Sequence, residues 1–142
     1  MRILIDINHP AHVHFFKHFI WEMKRRGHSV FVVASKKDIT YELLKELGIG
    51  YINIGTYGDK VIQKALNVPC MALKMFKIAK RINPDIMISY ETSRITHASL
   101  LLNTPTIVFI NNEHAVEQAI LYKYFATKLI SSTNFFKKYE FT

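Results

Sequence analysis

Short runs of apolar and β-branched residues alternate along the whole chain with stretches in which apolar residues recur at helical spacing. Arg2–Ile7 has the length and character of a buried strand, and Val13–Arg26 then places Val13, Phe16, Phe19, Ile20 and Met23 on one side of a helix. Gly27 predicts the end of that helix, because a residue without Cβ readily takes the left-handed conformation that closes many helices. Ser29–Ala34 follows at once as a second strand. The cycle repeats with Asp38 or Thr40 as a helix cap, Tyr41–Leu47 as the helix, Gly48 as its stop and Tyr51–Ile54 as a third strand.

A less regular stretch, Gly55–Asn67, precedes a helix predicted over Val68–Ile82, with Pro69 suited to its first turn and Asn83-Pro84 to its end. Asp85–Tyr90 reads as strand four, Thr96–Leu102 as a helix, Thr106–Ile110 as strand five, Val116–Ala126 as a helix and Lys128–Ser132 as strand six. Continuous apolar strands separated by amphipathic helices favour a parallel sheet covered on both faces, and right-handed crossovers make the doubly wound arrangement its natural topology. The expected fold class is therefore α/β: a doubly wound, Rossmann-like parallel sheet of about six strands with helices on both faces, in a single domain over residues 1–142. The tail from Asn134 to Thr142 carries three phenylalanines and a tyrosine. It predicts either packing back on this domain or continuation into a second one.

Composition narrows the class. A chain of 142 residues that is 49% hydrophobic can build a sizeable core, which sets disorder aside. The single cysteine, Cys70, cannot form an intrachain disulfide, so a reducing, cytoplasmic setting is expected. The opening apolar run is too short for a signal peptide, and no run approaches the roughly 18 to 20 apolar residues of a membrane span. The net charge of +8 favours polyanions or anionic lipid at low salt, although scattered lysines are commonly no more than solvated helix faces.

Candidate chemistry concentrates in three polar loops that follow strands one, four and five. In open α/β sheets, ligands sit beyond the carboxyl ends of the strands, where helix amino termini offer unpaired N–H groups. The first loop, Asn8–His12, lacks the glycines of a dinucleotide fingerprint, and no Walker A sequence is present, which disfavours a dehydrogenase or P-loop enzyme. Asn8, His9 and His12 suit a sugar hydroxyl or phosphate. In the second loop Glu91, Thr92, Ser93 and Arg94 are candidates for substrate binding, with Thr92 or Ser93 alternatively capping a helix and Arg94 alternatively solvated. In the third, Asn111 and Asn112 are binding candidates and Glu113 and His114 acid/base candidates, because a carboxylate beside an imidazole can move a proton on or off a hydroxyl. Asn112 as a plain helix cap is the alternative there.

Asp6 lacks the companion acidic residues of a phosphoacceptor site and is expected to anchor a loop by hydrogen bonding. His9, His12, His14 and His18 cluster in sequence, yet no nearby cysteine or helical glutamate completes a metal motif, so no metal is assigned. The helix bearing Leu73, Phe76 and Ile82 also carries Lys74, Lys77, Lys80 and Arg81, a pattern that serves a solvated face or contact with an anionic membrane.

The opening from Met1 to Phe16, the junction Arg26-Gly-His-Ser-Val30 and the element Asn112-Glu-His-Ala115 together resemble the amino-terminal half of the family called domain of unknown function 354. That family looks like GT-B glycosyltransferases and nucleotide-sugar 2-epimerases and often accompanies surface-polysaccharide synthesis. The resemblance implies an acceptor-side domain whose donor-binding partner domain lies elsewhere, with Asn8, His9, His12, Glu91, Glu113 and His114 lining the acceptor side of a cleft. A loop histidine or Glu113 would then be the base on an acceptor hydroxyl.

The partners so implied are an acceptor sugar or glycolipid and, through the second domain, a nucleotide-sugar donor. No cofactor is assigned, the half domain alone is expected to be inactive, and a peripheral place at the inner face of the membrane is compatible with the charge. Two alternatives remain: an epimerase-like half domain, whose usual Gly-Thr-Arg-Pro-Glu first loop is replaced here by Asn8-His-Pro, and a non-catalytic basic module for an acidic partner or nucleic acid, the latter disfavoured.

Overall fold

The first apolar run becomes the centre of the sheet, because every residue from Ile3 to Ile7 is buried on one face or the other. The computed structural model describes residues 1–56, 58, 61–110 and 124–131, with the backbone alone at 61–66. Its strands are β1 (Arg2–Ile7), β2 (Ser29–Ser35), β3 (Ile52–Gly55), β4 (Ile86–Tyr90), β5 (Thr106–Ile110) and β6 (Lys128–Ser131). Helices α1 (Pro10–Arg25), α2 (Thr40–Glu46), α3 (Val61–Ile82) and α4 (Ser93–Leu102) run between them.

The six strands form one parallel sheet in the order β3-β2-β1-β4-β5-β6. The expected doubly wound, Rossmann-like α/β fold is thus the observed one. The chain moves from β1 toward one edge and from β4 toward the other, so β1 and β4 are neighbours whose connections diverge. This is the topological switch point at which such sheets open a crevice.

Alternation along the strands divides the core. Ile3, Ile5 and Ile7 pack with Val13, Phe16 and Ile20 of α1 and Leu44 of α2. Leu4 points the other way, to Met71, Met75 and Ala79 of α3 and Ile95 and Ala98 of α4. Glycines close two helices as expected, Gly27 at φ 82° and Gly48 at φ 64°.

Four helix starts differ from expectation. α1 begins at Pro10, three residues before Val13, so His12 belongs to the helix and not to the loop, because Pro10 fixes the first helical turn and His9 caps it. α3 begins at Val61, so Pro69 lies inside the helix and not in its first turn. Pro69 is on an exposed stretch, where water can take up the carbonyl that its missing N–H leaves unbonded, while Met71, Met75 and Ala79 hold the helix to the sheet at i, i+4 spacing. α2 has Ile39 at its cap position with no side-chain cap. Thr40 instead donates its hydroxyl to the Lys37 carbonyl at 2.6 Å, and Asp38 takes a left-handed turn conformation at φ 46°. α4 begins three residues early, at Ser93. The expected helix over 116–126 lies outside the described residues except at 124–126, where Tyr124 and Phe125 are helical and Ala126 is not; the aromatic tail lies outside them altogether.

The reason for the early start of α4 is a buried ion pair. Asp6, on the α3/α4 side of β1, accepts from Arg94 Nε at 2.8 Å and from Arg94 Nη2 at its other oxygen, a two-pronged contact. Arg94 Nη1 also donates to Ser35 Oγ at 2.5 Å, and Thr92 Oγ1 donates to Asp6 at 2.8 Å. Arg94 is 1% exposed and Asp6 fully buried. These bonds tie the carboxyl ends of β1 and β2 to the start of α4.

Breaking the pair from one side leaves a buried charge alone, which typically costs about 3–5 kcal/mol. Arg94→Met is expected to lose stability on that scale in urea unfolding, and the double variant Asp6→Leu/Arg94→Met to recover most of it. A loss under ~1 kcal/mol in the single variant would contradict the role given to the pair.

Candidate functional site

The rim of the sheet at β1 and β4 gathers residues from loops separated by about eighty positions in the sequence. Asn8 and His9 follow β1, and the Pro10 that locks the first turn of α1 makes His9 its cap. His9 is extended (φ −152°, ψ 148°), and its Nδ1 accepts the Ala11 N–H at 3.2 Å. With Nδ1 engaged as acceptor, the proton of the neutral ring belongs on Nε2, so His9 offers a donor away from the helix.

His12 lies in the first turn of α1 and is 9% exposed. Its ring packs on Tyr90 at the end of β4, with centroids 4.8 Å apart, and faces His9 at 5.9 Å. Its Nδ1 has no hydrogen-bond partner among the described residues. Burial pushes the His12 pKa down to about 4, with neighbouring His9 and Lys37 acting the same way and Asp6 opposing them. At neutral pH His12 is therefore an uncharged imidazole able to accept a proton.

Across the switch point, Glu91 follows β4 in a left-handed conformation (φ 50°), its N–H donating to the Phe109 carbonyl at 3.0 Å. That turn brings a half-buried carboxylate residue to the same rim as His9 and His12. Ser93 opens α4 there, half-buried, its carbonyl taken by the Thr96 hydroxyl at 2.6 Å.

The structure thus unites Asn8, His9, His12, Glu91 and Ser93 at one rim. Two expected substrate contacts are corrected: Arg94 and Thr92 are buried and bonded to Asp6, so they position the loop and present no surface to a ligand. Thr92 holds the cap position of α4, but its hydroxyl serves Asp6 and not the helix. Asp6 anchors a loop as anticipated. Asn111, Asn112, Glu113 and His114 lie outside the described residues. His14 and His18 are exposed on α1, and among the described residues no group of three His, Cys, Asp or Glu is arranged to hold a metal.

Tyr90 was missed by the sequence reading, which took it only as the last residue of a strand. The available signal was an aromatic residue at the carboxyl end of a strand beside a polar loop.

Because the folded-state pKa of His12 lies below its value of about 6.5 in the unfolded chain, the unfolded state binds more protons between those values. The contribution of His12 to stability is complete above pH 6.5 and is lost as pH falls through about 4. Its size is bounded at about 3 kcal/mol. Unfolding titrations at pH 7 and pH 4.5 should show a smaller pH-dependent loss in His12→Asn than in the unaltered chain; equal losses would mean that the imidazole is not buried neutral.

Comparison with known proteins places this geometry. An uncharacterized protein, MJ0665 of Methanocaldococcus jannaschii, is 21% identical over 116 residues, covering 82% of this chain and 34% of its own length. The chain therefore spans about a third of that relative. Among solved structures, MurG of Acinetobacter baumannii superimposes with a TM-score of 0.75 at 14% identity, over 93% of this chain and 41% of its own. The UDP-GlcNAc 2-epimerase of Methanocaldococcus jannaschii gives 0.70 at 12% identity, over 97% and 41%. Glycosyltransferase VinC in complex with DTDP gives 0.63 at 11% identity, over 88% and 38%. At these identities the likeness is one of fold, the fold shared by GT-B glycosyltransferases and UDP-GlcNAc 2-epimerases. The family described as "Protein of unknown function (DUF354)" matches residues 1–137, and the chain belongs to it.

Proposed function

We propose that this chain is the acceptor-side half of a GT-B-like glycosyltransferase that acts in surface-polysaccharide or glycoconjugate synthesis and needs a second, donor-binding domain for turnover. The carrying observation is the placement of His12, uncharged at neutral pH and packed on Tyr90, beside His9 and Glu91 at the switch point of a fold shared with glycosyltransferases.

In this reading the acceptor lies over the β1/β4 rim. His12 takes the one proton released by the attacking hydroxyl, the His9 Nε2 donor and Asn8 hold neighbouring hydroxyls, and the Glu91 carboxylate accepts a hydrogen bond from a further hydroxyl. A sugar is rich in donors and acceptors and poor in charge, and this set matches it better than a phosphate, since the charged Arg94 is withheld by Asp6. Glu113 and His114, outside the described residues, are proposed as further acid/base groups on the strength of the family resemblance alone. The donor, a nucleotide sugar, is held by the second domain, consistent with the chain's span of 34–41% of the proteins it matches.

The exposed cations Lys77, Lys80 and Arg81 of α3 support a cytoplasmic location peripheral to an anionic membrane. No helix of the described residues is long and apolar enough to cross one.

The test is calorimetry and turnover on the protein carrying both halves. Nucleotide-sugar binding is expected, and His12→Ala should lower kcat by about 10²–10⁴-fold with donor affinity unchanged. Absence of nucleotide-sugar binding, or a His12→Ala enzyme of undiminished kcat, would sink the reading.

A further inference from the structure

An imidazole can be buried at the rim only if other side chains cover it, and part of the cover over His12 comes from Tyr90, the last residue of β4. The two rings lie 4.8 Å apart with 36° between their planes, nearer to stacked than to edge-on. Tyr90 is itself braced. Its backbone pairs with Phe109 in the β4/β5 register, and the next N–H, that of Glu91, bonds the Phe109 carbonyl at 3.0 Å. Phe15 and His12 are three residues apart on α1 and so share a face of the helix, and both touch the Tyr90 ring. Phe15 meets it edge-on at 5.0 Å and is held in turn by Phe16 at 4.9 Å and Phe109 at 5.1 Å. An aliphatic side chain would fill the end of a strand equally well. A flat ring covers an imidazole without competing for its nitrogens.

We infer that Tyr90 is a positioning residue for His12: its ring, braced by Phe15, fixes the plane of the imidazole and keeps water from the face that it covers. The catalytic consequence rests on the acceptor-side reading of the rim, whereas the contact itself does not.

The titratable and charged groups that face His12 among the described residues are His9 from the cap of α1, Asp6 from β1 and Lys37 from the loop after β2, with Glu91 following Tyr90 at the same rim. His9 and Lys37 oppose a proton on His12 and Asp6 favours it, but burial is the largest influence. A change at position 90 leaves those three groups in place. Movement of the His12 midpoint on substitution of Tyr90 therefore measures the cover that the ring provides.

The test is an NMR titration of the His12 ring in the chain labelled at histidine Cε1, joined to a pH profile of kcat/KM in the protein carrying both halves. The unaltered ring is expected to titrate at about 4. Tyr90→Ala should raise the midpoint to between about 5.5 and the unperturbed 6.5 or so, and Tyr90→Phe, which keeps the ring, should hold it within about half a pH unit of the unaltered chain. Tyr90→Val, whose branched side chain suits a strand, should give the same rise should the alanine variant fold poorly. In turnover, the ratio of kcat/KM at pH 5 to that at pH 8 should be at least about threefold lower in Tyr90→Ala than in the unaltered protein, and restored in Tyr90→Phe.

A midpoint that stays at about 4 in a folded alanine or valine variant, or one that rises as far in Tyr90→Phe, overturns the inference. So does an unaltered His12 that titrates at about 6.5. A midpoint that moves as expected while kcat/KM keeps its pH dependence upholds the Tyr90 contact and removes His12 as the base.

Discussion

The two-pronged contact between Asp6 and Arg94 is the constraint on which the rest of this domain depends. Removing a carboxylate and a guanidinium from water costs several kcal/mol for each, and only well-aimed bonds offset that. The bonds come from Thr92 and Ser35 as well as from the pair itself, so three strand ends must stay in register for any of them to form. A short loop between β4 and α4 follows directly. Glu91 turns through a left-handed conformation, Thr92 points inward, and the first turn of α4 starts where Arg94 can reach β1.

That arrangement also sets the electrostatics of the rim. With Arg94 paired to Asp6 beneath the surface, the first two rim loops present imidazoles, an amide and a carboxylate, and Lys37 is the cation whose charge reaches His12. His12 is buried against Tyr90 and kept uncharged by that burial. A neutral acceptor next to a histidine donor is suited to hydroxyl chemistry.

The sheet carries an asymmetry of the same origin. Because the connections diverge from β1 and β4, helices α3 and α4 lie on one face of the sheet, and among the described residues only α1 reaches the other face of β4 and β5. The ring contacts of Phe15 connect that face to the rim.

Periodicity was sufficient for the architecture. Strands at Arg2–Ile7, Ser29–Ser35 and Thr106–Ile110 follow from continuous apolar runs, and glycines at 27 and 48 mark helix ends, because these signals depend on burial and on local backbone sterics. The polar loop Asn8–His12 and the acidic Glu91 were legible as rim residues for the same reason: strand direction alone decides which loops share an end.

What the sequence could not disclose depends on partners distant along the chain. Arg94 and Thr92 have the composition of a ligand-binding loop, and only the approach of Asp6, eighty-eight and eighty-six residues away, turns them inward. The start of α4, the interior position of Pro69 and the pairing of Tyr90 with His12 have the same character, since each is settled by tertiary contact against local preference. The sequence by itself determined a parallel α/β sheet and the end of it that carries the chemistry; tertiary structure decided which polar side chains remain available there, because a buried charge must find its counter-charge wherever the fold brings one.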